Sequence, residues 1–214
     1  AYGFTEMLNN AIDHSGGTHV TIGAKRTAVS LQMRVSDDGV GIFSKIKNAL
    51  CLDDERHAIL ELAKGKLTTD PSRHTGEGVF FSCRAFDTFA ILSGSLSFGH
   101  IDGGHDWLLD DRAAVGGTLV VMEIATESPR VLSEVFEAYS SSKDDMTFSR
   151  TIVPVSLARY GDENLVSRSQ AKRLVSRLDR FKTIVLDFRG VQTIGQAFAD
   201  EVFRVFQNDH PSLE

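Results

Sequence analysis

FTEMLNNAIDHSGG, running from Phe4 to Gly17, is the stretch on which the reading of this chain turns. Phe4, Met7, Leu8, Ala11 and Ile12 recur at helical spacing, so one face is expected to enter a core. Glu6, Asn9, Asn10, Asp13 and His14 crowd the rest of the surface. Asparagine is a weak helix former, and two in succession call for a reason. Glu6 and Asn10 stand four residues apart, so they project from the same side, one turn above the other. A carboxylate beside an amide carbonyl can accept a proton and ligate a hard cation such as Mg²⁺. Taken alone, the same residues equally fit a solvated helix face. His14 closes the helix, where a cation also favours the helix dipole.

The rest of the chain sets bounds on that choice. Its 214 residues are 42% hydrophobic and 24% charged, the balance of a water-soluble protein with one or two real cores. No apolar run approaches the roughly 20 residues that span a bilayer, and the N-terminus lacks the order of a signal peptide. A cytoplasmic protein without a membrane partner is expected. Cys51 and Cys83 are too few and too unpatterned for a disulfide framework or a metal knuckle, so reduced thiols are expected. The net charge of -6 argues against a nucleic-acid surface. The helical pattern is already running at Tyr2 with no capping residue before it, so more chain is expected upstream.

Beyond Gly17, THVTIGAKRTAVSLQMRVSDDGVGI (18–42) alternates in two runs, which predicts two antiparallel strands ending at an acid-glycine loop. Residues 43–67 are helical in character, with Ala58, Ile59 and Leu62 sharing a face. TTDPSRHTGEG (68–78) is polar and marked by proline and glycine, as an exposed loop would be. A buried helix is expected over 79–89, then three strands over 90–102, 105–112 and 116–125, with Trp107 packed on the sheet. A helix over 130–139 and the polar run SSSKDD (140–145) read as a connector.

A second module is expected from Phe148. SRTIVPVSLA (149–158) predicts a strand, and Ser167 with Gln170 makes a capping box for a helix whose stripe is Ala171, Leu174, Val175, Leu178 and Phe181. KTIVLDF (182–188) predicts a buried strand, and a last helix carries Phe198, Val202, Val205 and Phe206. This β-α-β-α order implies parallel strands packed on helices. The expected division is 1–126, a connector over 127–147, and 148–214.

Two further clusters carry chemistry. SDDGVGI places Asp37 at a strand end, with Gly39 and Gly41 able to turn the backbone close to a flat ligand. A buried carboxylate there can accept a hydrogen bond from an exocyclic amine, as adenine offers; a plain turn fits the residues as well. In RHTGEGVFF, Gly76 and Gly78 precede a helix, whose bare amides can meet phosphate oxygens.

In this order the three stretches resemble the N, G1 and G2 boxes of the GHKL superfamily, the gyrase, heat-shock chaperone, histidine-kinase and MutL ATPases of the Bergerat fold. EMLNNAIDH is most similar to the anti-sigma-factor serine kinases and to ATPases that keep a glutamate one turn before the metal-binding asparagine. The resemblance covers Ala1 to Ala125. It implies Glu6 as general base, Asn10 as Mg²⁺ ligand, Asp37 as the adenine-binding acid, and Gly39 and Gly41 as nucleotide-contacting glycines. It further implies a phosphate loop at Gly76 and Gly78, with His74 and Thr75 in the same box, and Thr118 beside the adenine-binding acid. His74 stands where many members have a glycine. The strand and helical turn that usually precede the N box are not in the sequence, nor is a phosphoacceptor-histidine helix.

Residues from Phe148 onward resemble a STAS-like domain, the α/β module of anti-sigma-factor antagonists and of bacterial regulators in which it follows a GHKL ATPase. TIVLDFRGVQTIGQAFADEVFRVF (183–206) carries that likeness, without the antagonists' acceptor serine. Asp187, Arg189, Asp200 and Glu201 read either as a docking surface or as ordinary salt-bridged groups.

The expected architecture is therefore a two-layer α/β sandwich with a mostly antiparallel sheet and helices on one face, plus a smaller STAS-like α/β domain. The expected ligands are ATP or ADP with Mg²⁺ and a regulatory protein partner. The segment 43–75 would close over the triphosphate, with Lys66 and Arg73 flanking it. The alternatives are a protein serine/threonine kinase acting on a partner, with Glu6 deprotonating the acceptor hydroxyl, and a non-catalytic scaffold.

Overall fold

The computed structural model describes residues 1–68, 75–101, 103, 106–142, 145–159 and 163–214, with the side chains of 111–113, 142, 145 and 146 outside the description. They cluster as two units, Ala1–Val135 and Phe136–Glu214.

In the first unit, α1 (Tyr2–His14) buries Met7 and Ala11. Ile12, expected in the core, is 61% exposed. One residue beyond Ala11, it is turned about 100° from the buried direction. β1 (Val20–Arg26) and β2 (Ser30–Asp37) form the expected antiparallel pair, Val20 opposite Asp37. Two helices, α2 (Ile42–Ala49) and α3 (Glu55–Lys64), occupy the stretch read as helical, separated by a turn in which Cys51 takes φ 52°. α4 (Gly78–Ala85) ends earlier than the apolar run suggested, because Phe86 is extended and leads into β3 (Thr88–Ile101).

The three strands expected next are two. From Trp107 onward, the second and third expected runs belong to one strand, β4 (Trp107–Ala125), paired antiparallel with β3. Gly116 and Gly117, which open the expected strand 116–125, sit in a register shift between Ser93↔Thr118 and Gly94↔Val115. Gly117 takes φ +70°, and a bulge absorbs the extra residues without ending the ladder. The sheet order is β1-β2-β4-β3. Along β2, Val35 and Asp37 are buried whereas Arg34 on the opposite side is exposed. The helices cover the buried side, so the unit is a two-layer α/β sandwich. Phe43, Phe80, Phe89, Phe98 and Met122 fill its core. Trp107 packs on the sheet as expected, its ring lying where a β-carbon on Gly99 would be.

α3 shows why local capping matters here. Its residues from His57 to Lys64 are all buried, including the ion pair Glu61–Lys64 at 2.6 Å. Asp54 caps it, accepting the Arg56 N–H at 2.8 Å and the Arg56 guanidinium at 2.7 Å. Hydrogen bonding from the Arg56 side chain, against some burial, holds the Asp54 carboxyl at about 2. We expect Asp54→Ala to cost about 1 kcal/mol in urea unfolding at neutral pH. A carboxyl depressed in the fold stabilises above its unfolded value near 3.9. The difference between the two proteins should therefore persist down to about pH 4 and shrink as pH falls toward 2.

α5 (Leu132–Glu137) is shorter than the expected helix. Where a connector was expected, β5 (Ser140–Ser142) and β6 (Asp145–Phe148) form a small antiparallel ladder. In the second unit, β7 (Arg150–Pro154) pairs in parallel with β8 (Thr183–Asp187). The strand expected through Ala158 stops at Pro154 and becomes a 3₁₀ turn, Val155–Ala158. Between the strands lies α6 (Arg168–Val175), capped as expected: Ser167 Oγ accepts the Gln170 N–H and Gln170 Oε1 accepts the Ser167 N–H. Ala171, Leu174, Val175, Leu178 and Phe181 are all buried. β8 is half-buried rather than buried; among the described residues its one strand partner is β7, and Glu214 bonds beside it, accepting the Ile184 N–H at 2.7 Å. α7 (Gln196–Asp200) continues through a π-helical stretch, Glu201–Phe206, and a last turn, Gln207–Asp209. Phe198 and Val202 reach the core; Val205 and Phe206 do so only partly. Among the described residues, no helix is long and apolar enough to cross a membrane.

Candidate functional site

The first unit contains a cavity of about 150 Å³ at the junction of α1, the end of β2, the start of α2, the start of α4 and β4. Glu6, Asn10, Asp37, Gly41, Thr75, Gly76, Gly78 and Thr118 line it. Three sequence clusters far apart in the chain thus meet around one space. The paired asparagines separate here: Asn10 lines the cavity, and Asn9 is exposed.

The two acids of SDDG separate in the same way. Asp37 is buried, and its Oδ1 accepts the N–H of Gly39 at 2.9 Å and of Thr118 at 3.3 Å. Its Oδ2 makes no hydrogen bond among the described residues, so that oxygen can accept a donor in the cavity. Asp38 instead faces outward and ties down the α1–β1 turn, taking the N–H groups of Thr18 at 2.7 Å and His19 at 2.9 Å. Those two residues' hydrogen bonds hold its carboxyl well below the usual carboxylate range. Thr118 completes the arrangement, its Oγ1 accepting the Ile42 N–H at 3.0 Å at the first residue of α2.

The glycines divide by what they make room for. Gly39 does not line the cavity; a β-carbon on it would meet the carbonyl of Ser15, where α1 ends. Gly41, at φ +84°, lines the cavity and turns the chain into α2. Gly76, at φ +77°, lies against Leu67 and accepts its N–H at 3.0 Å. Gly78, the first residue of α4, lies so close to Glu6 that a β-carbon there would overlap Oε2. The Glu6 carboxylate therefore sits at the positive end of α4.

Acidic groups concentrate around this corner. Burial, followed by the charges of Glu6 and Glu77, raises the Tyr2 phenol to about 12, so it stays protonated at neutral pH. Burial also raises the Glu77 carboxyl, opposed by Lys66 and by a hydrogen bond from Thr75. Met7, Val35, Ile46 and Val120 add an apolar lining suited to a flat ring.

Lys45 was missed in the sequence. It lies one turn into α2, lines the cavity, and donates from Nζ to the carbonyl of His14 at 2.5 Å. Its place after Gly41 was legible, but its reach across to the end of α1 was not. His14 lines the cavity as well. Lys66 is half-buried and takes φ 51°. His74 and Arg73 lie outside the described residues, as does most of the loop expected between 68 and 78.

In the second unit the four residues weighed as a docking surface are engaged locally. Asp187 pairs with Arg189 at 2.6 Å, Asp200 with Arg204 and Arg168, and Glu201 is buried.

The chain matches no curated protein. Residues 170–214 match the family described as a STAS-like domain of unknown function (DUF4325), and they span most of α6, β8 and α7. By that match, residues 170–214 are similar to a STAS-like domain.

Proposed function

We propose that the first unit is an ATP·Mg²⁺-binding module of the GHKL type, coupled to the STAS-like domain as an interaction element. What supports this is the convergence of Glu6, Asn10, Asp37, Gly76 and Thr118 on one cavity. Asp37 reads the adenine amine through Oδ2 while its Oδ1 stays tied to the backbone. The apolar lining takes the ring faces, and Gly76 and Gly78 at the start of α4 receive the phosphates. Asn10 would hold Mg²⁺ by its amide oxygen, where the ion offsets phosphate charge. Glu6 accepts the proton of an attacking water in slow hydrolysis. Lys45 supplies a cation in the cavity lining. Nucleotide state then biases how the STAS-like domain meets a regulatory protein partner.

Calorimetry of the whole protein with a non-hydrolysable ATP analogue and Mg²⁺ tests this. A single site is expected, with the GTP analogue at least about tenfold weaker, because guanine presents a carbonyl where Asp37 needs a donor. At a hundred times Kd the analogue should add about 2.7 kcal/mol of stability. Neither heat nor a thermal shift with any nucleotide would leave only the scaffold alternative.

A further inference from the structure

Away from the nucleotide cavity, Cys83 of α4, His100 of β3 and Asp106 just ahead of β4 bring a thiol sulfur, an imidazole nitrogen and a carboxylate oxygen within 4.8 Å of one another. Cys83 and Asp106 are buried, and His100 is partly so. We infer that this cluster is a site for a borderline-soft divalent cation of the zinc type, with three protein ligands and a fourth position for water.

The donor set selects the metal class. Sulfur with imidazole suits Zn²⁺ and its chemical relatives, whereas Mg²⁺ and Ca²⁺ prefer oxygen alone. Three ligands drawn from a helix and from both sides of the β3–β4 hairpin form an open site rather than a closed structural one. The spacing of the cysteines carried no such pattern, because Cys83 meets His100 and Asp106 only in the fold.

Charge and geometry are compatible with it. A thiolate and a carboxylate offset the two charges of the cation, the Cys83 proton leaving to solvent as the metal–sulfur bond forms. Burial, and then the charge of Asp106, pushes the Cys83 thiol up, so without a cation it is an inert thiol. Arg84 lies 3.7 Å from Asp106 and balances that carboxylate. The guanidinium is anchored to one side, over the Phe80 ring at 3.6 Å and donating to the Phe80 carbonyl at 3.2 Å. A tetrahedral zinc centre spaces its ligand atoms by roughly 3.3–3.8 Å. His100 Nδ1 and Asp106 Oδ1, now 2.6 Å apart, must open by roughly 1 Å to share the cation.

Titration of the whole protein with Co²⁺, without nucleotide, tests the site independently of the proposed function. One equivalent should produce a near-ultraviolet thiolate-to-cobalt band and the strong visible absorption of tetrahedral cobalt, both displaced by Zn²⁺. Cys83→Ser should abolish the band and weaken Zn²⁺ binding more than about 100-fold, beyond the loss typical of an outer-shell change. Cys51→Ser should alter neither. X-ray absorption at the zinc edge of the unsubstituted protein should show one sulfur in the coordination shell, which decides the matter even if Cys83→Ser fails to fold. No cobalt–thiolate band, a band that survives Cys83→Ser, or a zinc shell of nitrogen and oxygen alone would overturn the assignment.

Discussion

Asp37→Asn should weaken binding of an ATP analogue by roughly 30- to 150-fold, while leaving the ligand-free protein folded. The asparagine keeps Oδ1, so the N–H groups of Gly39 and Thr118 retain their acceptor. What changes is the other atom, from an acceptor to an NH₂ donor that confronts the donor amine of adenine. Two buried donors facing each other cost about 2–3 kcal/mol, which sets the expected range in Kd. Thermal unfolding without ligand checks the fold, and calorimetry gives the affinity. Binding unchanged within twofold would show that Asp37 does not read the base.

Glu6→Gln should lower the rate of ATP hydrolysis about 10²- to 10⁴-fold and leave the analogue's Kd within a few fold. Glutamine has the shape of glutamate, so the close packing against Gly78 survives. Only the capacity to take a proton is lost. A parallel loss of binding and turnover would mean that the carboxylate holds the site together rather than serving as the base. The same assay with γ-labelled ATP and cell extract separates ATPase from kinase: free phosphate marks the first, label on a protein marks the second.

The second outcome depends on α1. Its stripe of Met7 and Ala11 anchors the helix in the core, which points Glu6 and Asn10 into the cavity one turn apart. Any change that rotates α1, such as overpacking beside Gly3 where Ser82 and the Phe86 ring already press, would disturb both.

Much of this was legible in short stretches because its physics is local. Helical spacing placed Glu6 and Asn10 on one side of α1, alternation paired β1 with β2, and the capping box at Ser167 and Gln170 announced α6. Each depends on residues within a turn or a hairpin of each other, where side-chain direction follows from backbone period alone. Asp37 and Asp38, by contrast, are adjacent and chemically identical, and although the spacing to Gly39 and Gly41 singled out Asp37, the partners of each follow from tertiary pairing. Pairing of β2 with β4 turns Asp37 toward Thr118, and the turn after α1 captures Asp38.

The same division runs through the rest of the molecule. Sequence alone determined the α/β class, the polar stripe of α1, the acid-glycine turn and the parallel order of the closing unit. Tertiary structure alone decided that two expected strands fuse across the bulge at Gly117, that Gly39 serves Ser15, that Lys45 reaches the end of α1, and that Cys83, His100 and Asp106 meet. Periodicity specifies which way a side chain points within its own element. How far it lies from a residue on another element is set by register and packing, which the spacing of residues along the chain does not encode.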